Sequence, residues 1–128
     1  MKAILSLTLL ALLAVSLFSA QASADSYRQI SMQEAIELMN SESDYIILDV
    51  RTPQEYQSGH IPGAICIPNE TILHDSIPEL PDKDQLILVY CRSGNRSKQA
   101  SAKLAALGYT NVVEFGGIHA WPGEIAIP

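Results

Sequence analysis

Two apolar runs, Tyr45-Ile46-Ile47-Leu48-Asp49-Val50 and Leu86-Ile87-Leu88-Val89-Tyr90, dominate the pattern of this chain. Their length and their branched and aromatic content predict buried strands. Ala64-Ile65-Cys66-Ile67 and Asn111-Val112-Val113-Glu114-Phe115 read as two further strands. Between them the apolar spacing changes to a helical period. Ser31 followed by Glu34 forms a capping box, and Ile36, Leu38 and Met39 give the helix behind it an apolar face. Thr52-Pro53-Gln54-Glu55 repeats the signal with proline at the first helical position, and Gly59 ends that short helix. Residues 69–76 read as another short helix, with Pro68, Pro78 and Pro81 punctuating the region. Residues 95–107 carry Ala100, Leu104 and Leu107 at helical spacing, closed by Gly108 as a left-handed cap. Strands alternating with helices predict an α/β fold on a parallel sheet, in which ligands bind beyond the carboxyl ends of the strands.

The amino-terminal segment follows a different pattern. Lys2, the apolar run Ile4 to Phe18 and the small residues Ala22-Ser23-Ala24 predict a secretory signal peptide over residues 1–24, with a second cleavage position after Ala22. The run is dotted with Ser6, Thr8 and Ser16 and is shorter than the ~20 apolar residues that span a bilayer, so no stable membrane anchor is expected. The expected location is therefore periplasmic or secreted. Cleavage would leave residues 25–128, enough for one domain with one core. It would also move the net charge from −6 to −7 by removing Lys2. An acidic body of this kind argues against nucleic acid as a partner and repels anions at long range.

Local charge at one loop runs the other way. Cys91 follows an apolar strand directly and opens Arg92-Ser93-Gly94-Asn95-Arg96-Ser97, which leads into the helix over residues 95–107. Unpaired N–H groups at a helix start, the helix dipole and the cations Arg92, Arg96 and Lys98 all favour a thiolate over a thiol. Each unit of pKa depression is worth about 1.4 kcal/mol of preference for the charged form. Gly94 lets the backbone approach closely and take positive φ. The loop is thus a candidate anion-binding nucleophile, in preference to a buried structural cysteine.

With the Cys91 loop and the three motifs below, the chain resembles the rhodanese family of sulfurtransferases, in particular its single-domain secreted members. Leu48-Asp49-Val50-Arg51 with Glu55-Tyr56 resembles one family signature, and Gly59-His60-Ile61-Pro62-Gly63-Ala64 a second. Cys91 to Arg96 is similar to the active loop, and Gly116-Gly117 with Ala120-Trp121 to the closing motif. The resemblance implies a central parallel five-stranded sheet with helices on both faces. It implies that Cys91 takes up sulfur, that Arg92, Ser93, Gly94, Asn95 and Arg96 cradle it, and that Arg96 holds the loop and its charge. The activity implied is transfer of a sulfane sulfur from a small anionic donor such as thiosulfate to a thiophilic acceptor such as cyanide or a thiol. That chemistry needs no metal or organic cofactor, and a monomer is the expected state.

Other readings of the loop exist. Cysteine phosphatases and arsenate reductases place five residues between cysteine and arginine, whereas four separate Cys91 from Arg96. A persulfide carrier serving a protein partner would use the same loop. A redox pair of Cys66 with Cys91 is conceivable in an oxidising compartment, although Cys66 between Ile65 and Ile67 reads as a small buried hydrophobe. His60, His74 and His119 show no metal-ligand spacing. His60 reads as a structural turn residue, Trp121 as a core anchor, and Asp49, Arg51 and Glu55 as a structural ion-pair group. Asn69 and Glu70 follow a strand end and are placed near the pocket by topology.

Overall fold

The computed structural model describes residues 26–74 and 76–128. The expected leader, residues 1–24, lies outside the described residues. Five parallel strands form one sheet in the order β1-β5-β4-β2-β3. They are β1 (Arg28–Gln29), β2 (Tyr45–Asp49), β3 (Ile65–Cys66), β4 (Leu86–Cys91) and β5 (Val112–Gly117). The helices are α1 (Met32–Ser41), α2 (Pro53–Ser58) and α3 (Asn95–Ala106).

Both capping boxes form. Ser31 Oγ accepts the Glu34 N–H at 3.1 Å, and Thr52 Oγ1 accepts the Glu55 N–H at 3.2 Å, while each glutamate bonds back to its cap. The central strands bury both faces, which is why their sequences run apolar without interruption. Leu48, Val50, Ile87, Val89 and Cys91 face one core with Ala100 and Leu104 of α3. Ile47, Leu88, Tyr90, Val113 and Phe115 face the other with Ala35 of α1, and Tyr56 of α2 packs against that side. Helices thus cover both faces of a five-stranded parallel sheet. No helix among the described residues is long and apolar enough to cross a membrane.

Two local expectations change, and one strand has no counterpart among them. The helix read over residues 69–76 is a single 3-10 turn, Asn69–Thr71. Ile72 leaves helical geometry at φ −84°, ψ 84° and buries its side chain in the core, which a continued helix would not allow. Strand β5 runs two residues further than the apolar pattern, through Gly116 and Gly117. Strand β1 has no apolar pattern at all: Arg28 and Gln29 are exposed and become a strand by pairing with Val113 and Glu114 of β5.

Candidate active site

Cys91 closes β4 and is 1 % exposed. Gly94, at φ 107° and ψ −15°, turns the chain into α3 without a side-chain cap, so the first amides of the helix are free to face the sulfur. The Gly94 N–H donates to Cys91 Sγ at 3.0 Å, and Ser97 Oγ lies 3.4 Å from the same atom. Burial pushes the Cys91 thiol up. The Ser97 hydroxyl and the backbone N–H groups of Ser97, Gly94 and Ser93 outweigh it and hold the thiol below its ordinary value.

The remaining loop residues divide by role. Arg92, Ser93 and Asn95 are exposed, while Gly94 is buried and Arg96 half-buried. The Arg92 carbonyl is held by His119, whose Nδ1 lies 2.7 Å away. A Cβ on Gly117 would overlap the Arg92 carbonyl and the Ser93 backbone, so the second glycine of the pair gives the loop room to lie against β5. Arg96 reaches out of the loop to Glu55 of α2, with Nη1–Oε1 at 2.7 Å and Nη2–Oε2 at 3.0 Å. That bidentate pair, opposed by burial and assisted by Thr52, brings the Glu55 carboxyl down to about 2.

The grouping of Asp49, Arg51 and Glu55 is therefore corrected. Arg51 pairs with buried Asp49 at 2.7 Å and donates to the Gly59 carbonyl at 2.7 Å, whereas Glu55 belongs to Arg96. Tyr90 Oη donates to Asp49 at 2.8 Å and accepts the Ile61 N–H at 3.1 Å, which ties the Gly59–Ala64 turn to the central strands. His60 stacks on Tyr56 with ring centroids 3.8 Å apart, in keeping with a structural role. The Trp121 ring packs against the core of that face, and its Nε1 donates to the Glu124 carbonyl.

A cleft of about 330 Å³ opens beside the loop, lined by Arg51, Glu55, Gly59, Arg92, His119 and Ile125 among others. Cys66 faces a separate hollow of about 210 Å³ with Thr71, His74 and Ile77. It is half-buried rather than fully buried, and its Sγ meets the Arg51 carbonyl at 3.6 Å. Burial pushes the Cys66 thiol up, and Asp49 adds to the effect. Pairing with Cys91 is ruled out by topology: β2 lies between β3 and β4, which places the two strands about 10 Å apart at sheet spacing. A disulfide needs Cα atoms within about 7 Å, and both thiols are free. Asn69 is buried but turned away from the loop, bonded to Gln99 and Lys103 of α3. Among the described residues no group of three or more His, Cys, Asp or Glu side chains could hold a metal ion.

The sequence does not single out Ser97, which touches the sulfur, or Glu114, which touches Ser97. Ser97 Oγ lies 2.8 Å from Glu114 Oε1, and Glu114 is 3 % exposed. A glutamate inside the apolar run Val112-Val113-Glu114-Phe115 is the signal that marks it.

Comparison with known proteins agrees with this architecture. The profile of the rhodanese-like domain matches residues 31–124. The chain belongs to the rhodanese-like family. Among curated rhodanese relatives, thiosulfate sulfurtransferase PspE of Escherichia coli is 40 % identical over 81 residues, covering 63 % of this chain and 74 % of the relative. Thiosulfate sulfurtransferase GlpE of Pseudoalteromonas translucida is 35 % identical over 96 residues, covering 74 % and 89 %. A solved E. coli rhodanese with anions superposes with a TM-score of 0.60 at 34 % identity, over 66 % of this chain and 99 % of that one. A rhodanese-like domain protein from Staphylococcus aureus gives 0.66 at 31 %, over 79 % and 98 %.

Proposed function

We propose that this rhodanese-like domain is a thiosulfate sulfurtransferase that carries sulfur on Cys91 as a persulfide. The observation that carries the reading is the convergence of backbone N–H groups and the Ser97 hydroxyl on one strand-end sulfur, with the Gly94 N–H at 3.0 Å. The curated relatives are named for the same activity.

The chemistry follows from the donors. The Cys91 thiolate attacks the outer sulfur of thiosulfate, a new S–S bond forms at Sγ, and the thiosulfate S–S bond breaks with its electron pair leaving on sulfite. A thiolate acceptor or cyanide then attacks the outer sulfur, and Cys91 leaves as a thiolate, giving a persulfide or thiocyanate. Charge departs from Sγ in the first step and returns in the second. Fixed donors aimed at Sγ therefore stabilise the leaving thiolate, an effect typically worth a few kcal/mol per donor. Arg92 at the cleft attracts the anionic donor against the acidic body of the protein.

Arg92, Ser93, Gly94, Asn95 and Arg96 make up the substrate loop around Cys91, with Arg96 anchoring it to α2 through Glu55. The leader pattern of residues 1–24 supports work outside the cytoplasm. Intact mass after thiosulfate treatment tests the reading: the expected result is a gain of one sulfur, lost on adding cyanide and absent from Cys91→Ser. An unchanged mass, or full sulfur transfer by Cys91→Ser, would overturn it.

A further inference from the structure

Glu114 is a buried charged group that the sulfur-transfer steps do not use. The Ser97 hydroxyl stands between it and the nucleophile, 2.8 Å from Glu114 Oε1, 2.9 Å from the Gly94 carbonyl and 3.4 Å from Cys91 Sγ. Glu114 Oε1 also accepts the Gly116 N–H at 2.9 Å, which fixes the carboxylate in place. A hydroxyl carries one hydrogen, while a carbonyl and a carboxylate can only accept. The Ser97 hydrogen therefore cannot serve Glu114 and a thiolate at the same time.

The two states of the sulfur resolve this competition differently. With Cys91 as a thiol, its S–H points to Ser97 Oγ, and the Ser97 hydrogen is left to the Glu114 carboxylate at 2.8 Å, a stronger acceptor than the Gly94 carbonyl at 2.9 Å. With Cys91 as a thiolate, Sγ becomes an acceptor and draws the Ser97 hydrogen from Glu114. We propose that Glu114 is a positioning residue that acts through Ser97, competing with Cys91 for one hydroxyl hydrogen. The hydrogen turns toward Sγ when charge builds there, and turns back to Glu114 when the sulfur is capped as a persulfide. It stays covalently on Oγ throughout, so only the direction of a hydrogen bond changes. The persulfide half of this cycle rests on the sulfurtransferase reading; the competition itself does not.

The competition has a sign. Glu114→Gln keeps the shape and leaves an acceptor for Gly116, but it removes the charge and weakens the rival acceptor, so the thiolate gains. Ser97→Ala removes a donor from the thiolate, so the thiolate loses. The other charged groups around the site are Arg92 in the loop, Arg96 and Lys98 on α3, Glu55 on α2, Glu70 in the 3-10 turn after β3, His119 after β5 and the Asp49–Arg51 pair at the end of β2. All are unchanged in these variants.

The test is a pH titration of the ultraviolet thiolate absorbance that Cys91→Ser abolishes, measured on the full chain without any sulfur donor. The Cys91 midpoint is expected to fall by about one pH unit in Glu114→Gln and to rise by about one in Ser97→Ala. In a Ser97→Ala background the Gln substitution is expected to keep less than half of its effect. No downward shift in Glu114→Gln would overturn the proposal. An equal shift with and without Ser97 would also overturn it, by making Glu114 a plain charge rather than a rival for the hydroxyl. A chain that shows these shifts yet takes up no sulfur from thiosulfate would sink the sulfurtransferase reading and leave the competition standing.

Discussion

Glu55 and Arg96, 41 residues apart in the chain, meet at two points across α2 and α3, with Nη1–Oε1 at 2.7 Å and Nη2–Oε2 at 3.0 Å. Glu55 also closes the capping box of its own helix, so one carboxylate fixes the start of α2 and the base of the cysteine loop together. The loop arginine is therefore a tether, and its charge is largely neutralised before any substrate arrives.

Glu55→Gln separates those two duties, because glutamine also closes a capping box but cannot form the ion pair. The folded carboxyl sits at about 2 against an ordinary value of 4.5, so its stabilisation is fully present above about pH 4.5 and is lost as pH falls through about 2. The side chains of both partners are 28 % exposed. After discounting for solvent screening, the pair contributes on the order of 1–2 kcal/mol. Urea unfolding of both proteins is expected to show the difference at pH 7 and its decline toward pH 2. A difference that stays constant over that range would remove the charge argument.

Gly117→Ala tests the close approach of the loop to β5. Its Cβ would overlap the Arg92 carbonyl, so the loop must shift, and Cys91 loses aligned donors. The expected cost in stability is about 1–3 kcal/mol, as for overpacking elsewhere. Sulfur transfer should fall more steeply than that loss implies, by about a hundredfold at temperatures where the variant stays folded. Activity that falls only with the folded fraction would mean that the loop tolerates displacement.

The Asp49–Arg51 pair is the buried polar element that the cleft rests on, with Asp49 wholly buried and Arg51 6 % exposed. Asp49→Ala leaves Arg51 unpaired and takes away the acceptor for Tyr90 Oη. Removing one member of a buried pair costs about 3–5 kcal/mol. Tyr90→Phe, which removes only the hydroxyl, should cost about 1–2 kcal/mol. Denaturant unfolding checks both, and equal losses from the two substitutions would contradict this ranking.

What the sequence reveals of this fold follows the range of the interactions involved. Cys91 at a strand end is legible because the apolar run, Gly94 and the arginines are all within a few residues of it. Both capping boxes are legible for the same reason. Strand β1 is not, since Arg28 and Gln29 carry no pattern and owe their conformation to β5, more than 80 positions later. The turn at residues 69–71 misleads because its local polarity suits a helix, whereas burial of Ile72 decides the path. Ser97 and Glu114 meet only because β5 pairs beside β4, and no spacing in the chain announces that contact.

Arg92 carries the last test, because it lines the cleft with an exposed side chain while Arg96 is held by Glu55. An anion approaching an acidic protein needs a local cation that is still free to attract it. Arg92→Ala should therefore raise the KM for thiosulfate about tenfold and leave kcat within about twofold, since the Gly94 N–H and the Ser97 hydroxyl beside Sγ are untouched. Attraction between exposed charges is screened by salt, so the wild-type KM should climb with ionic strength and that of Arg92→Ala should climb less. Steady-state kinetics at several salt concentrations decides the matter. Parallel salt dependence in the two proteins would show that thiosulfate is drawn in by some other group, and a fall confined to kcat would place Arg92 at the reacting sulfur instead.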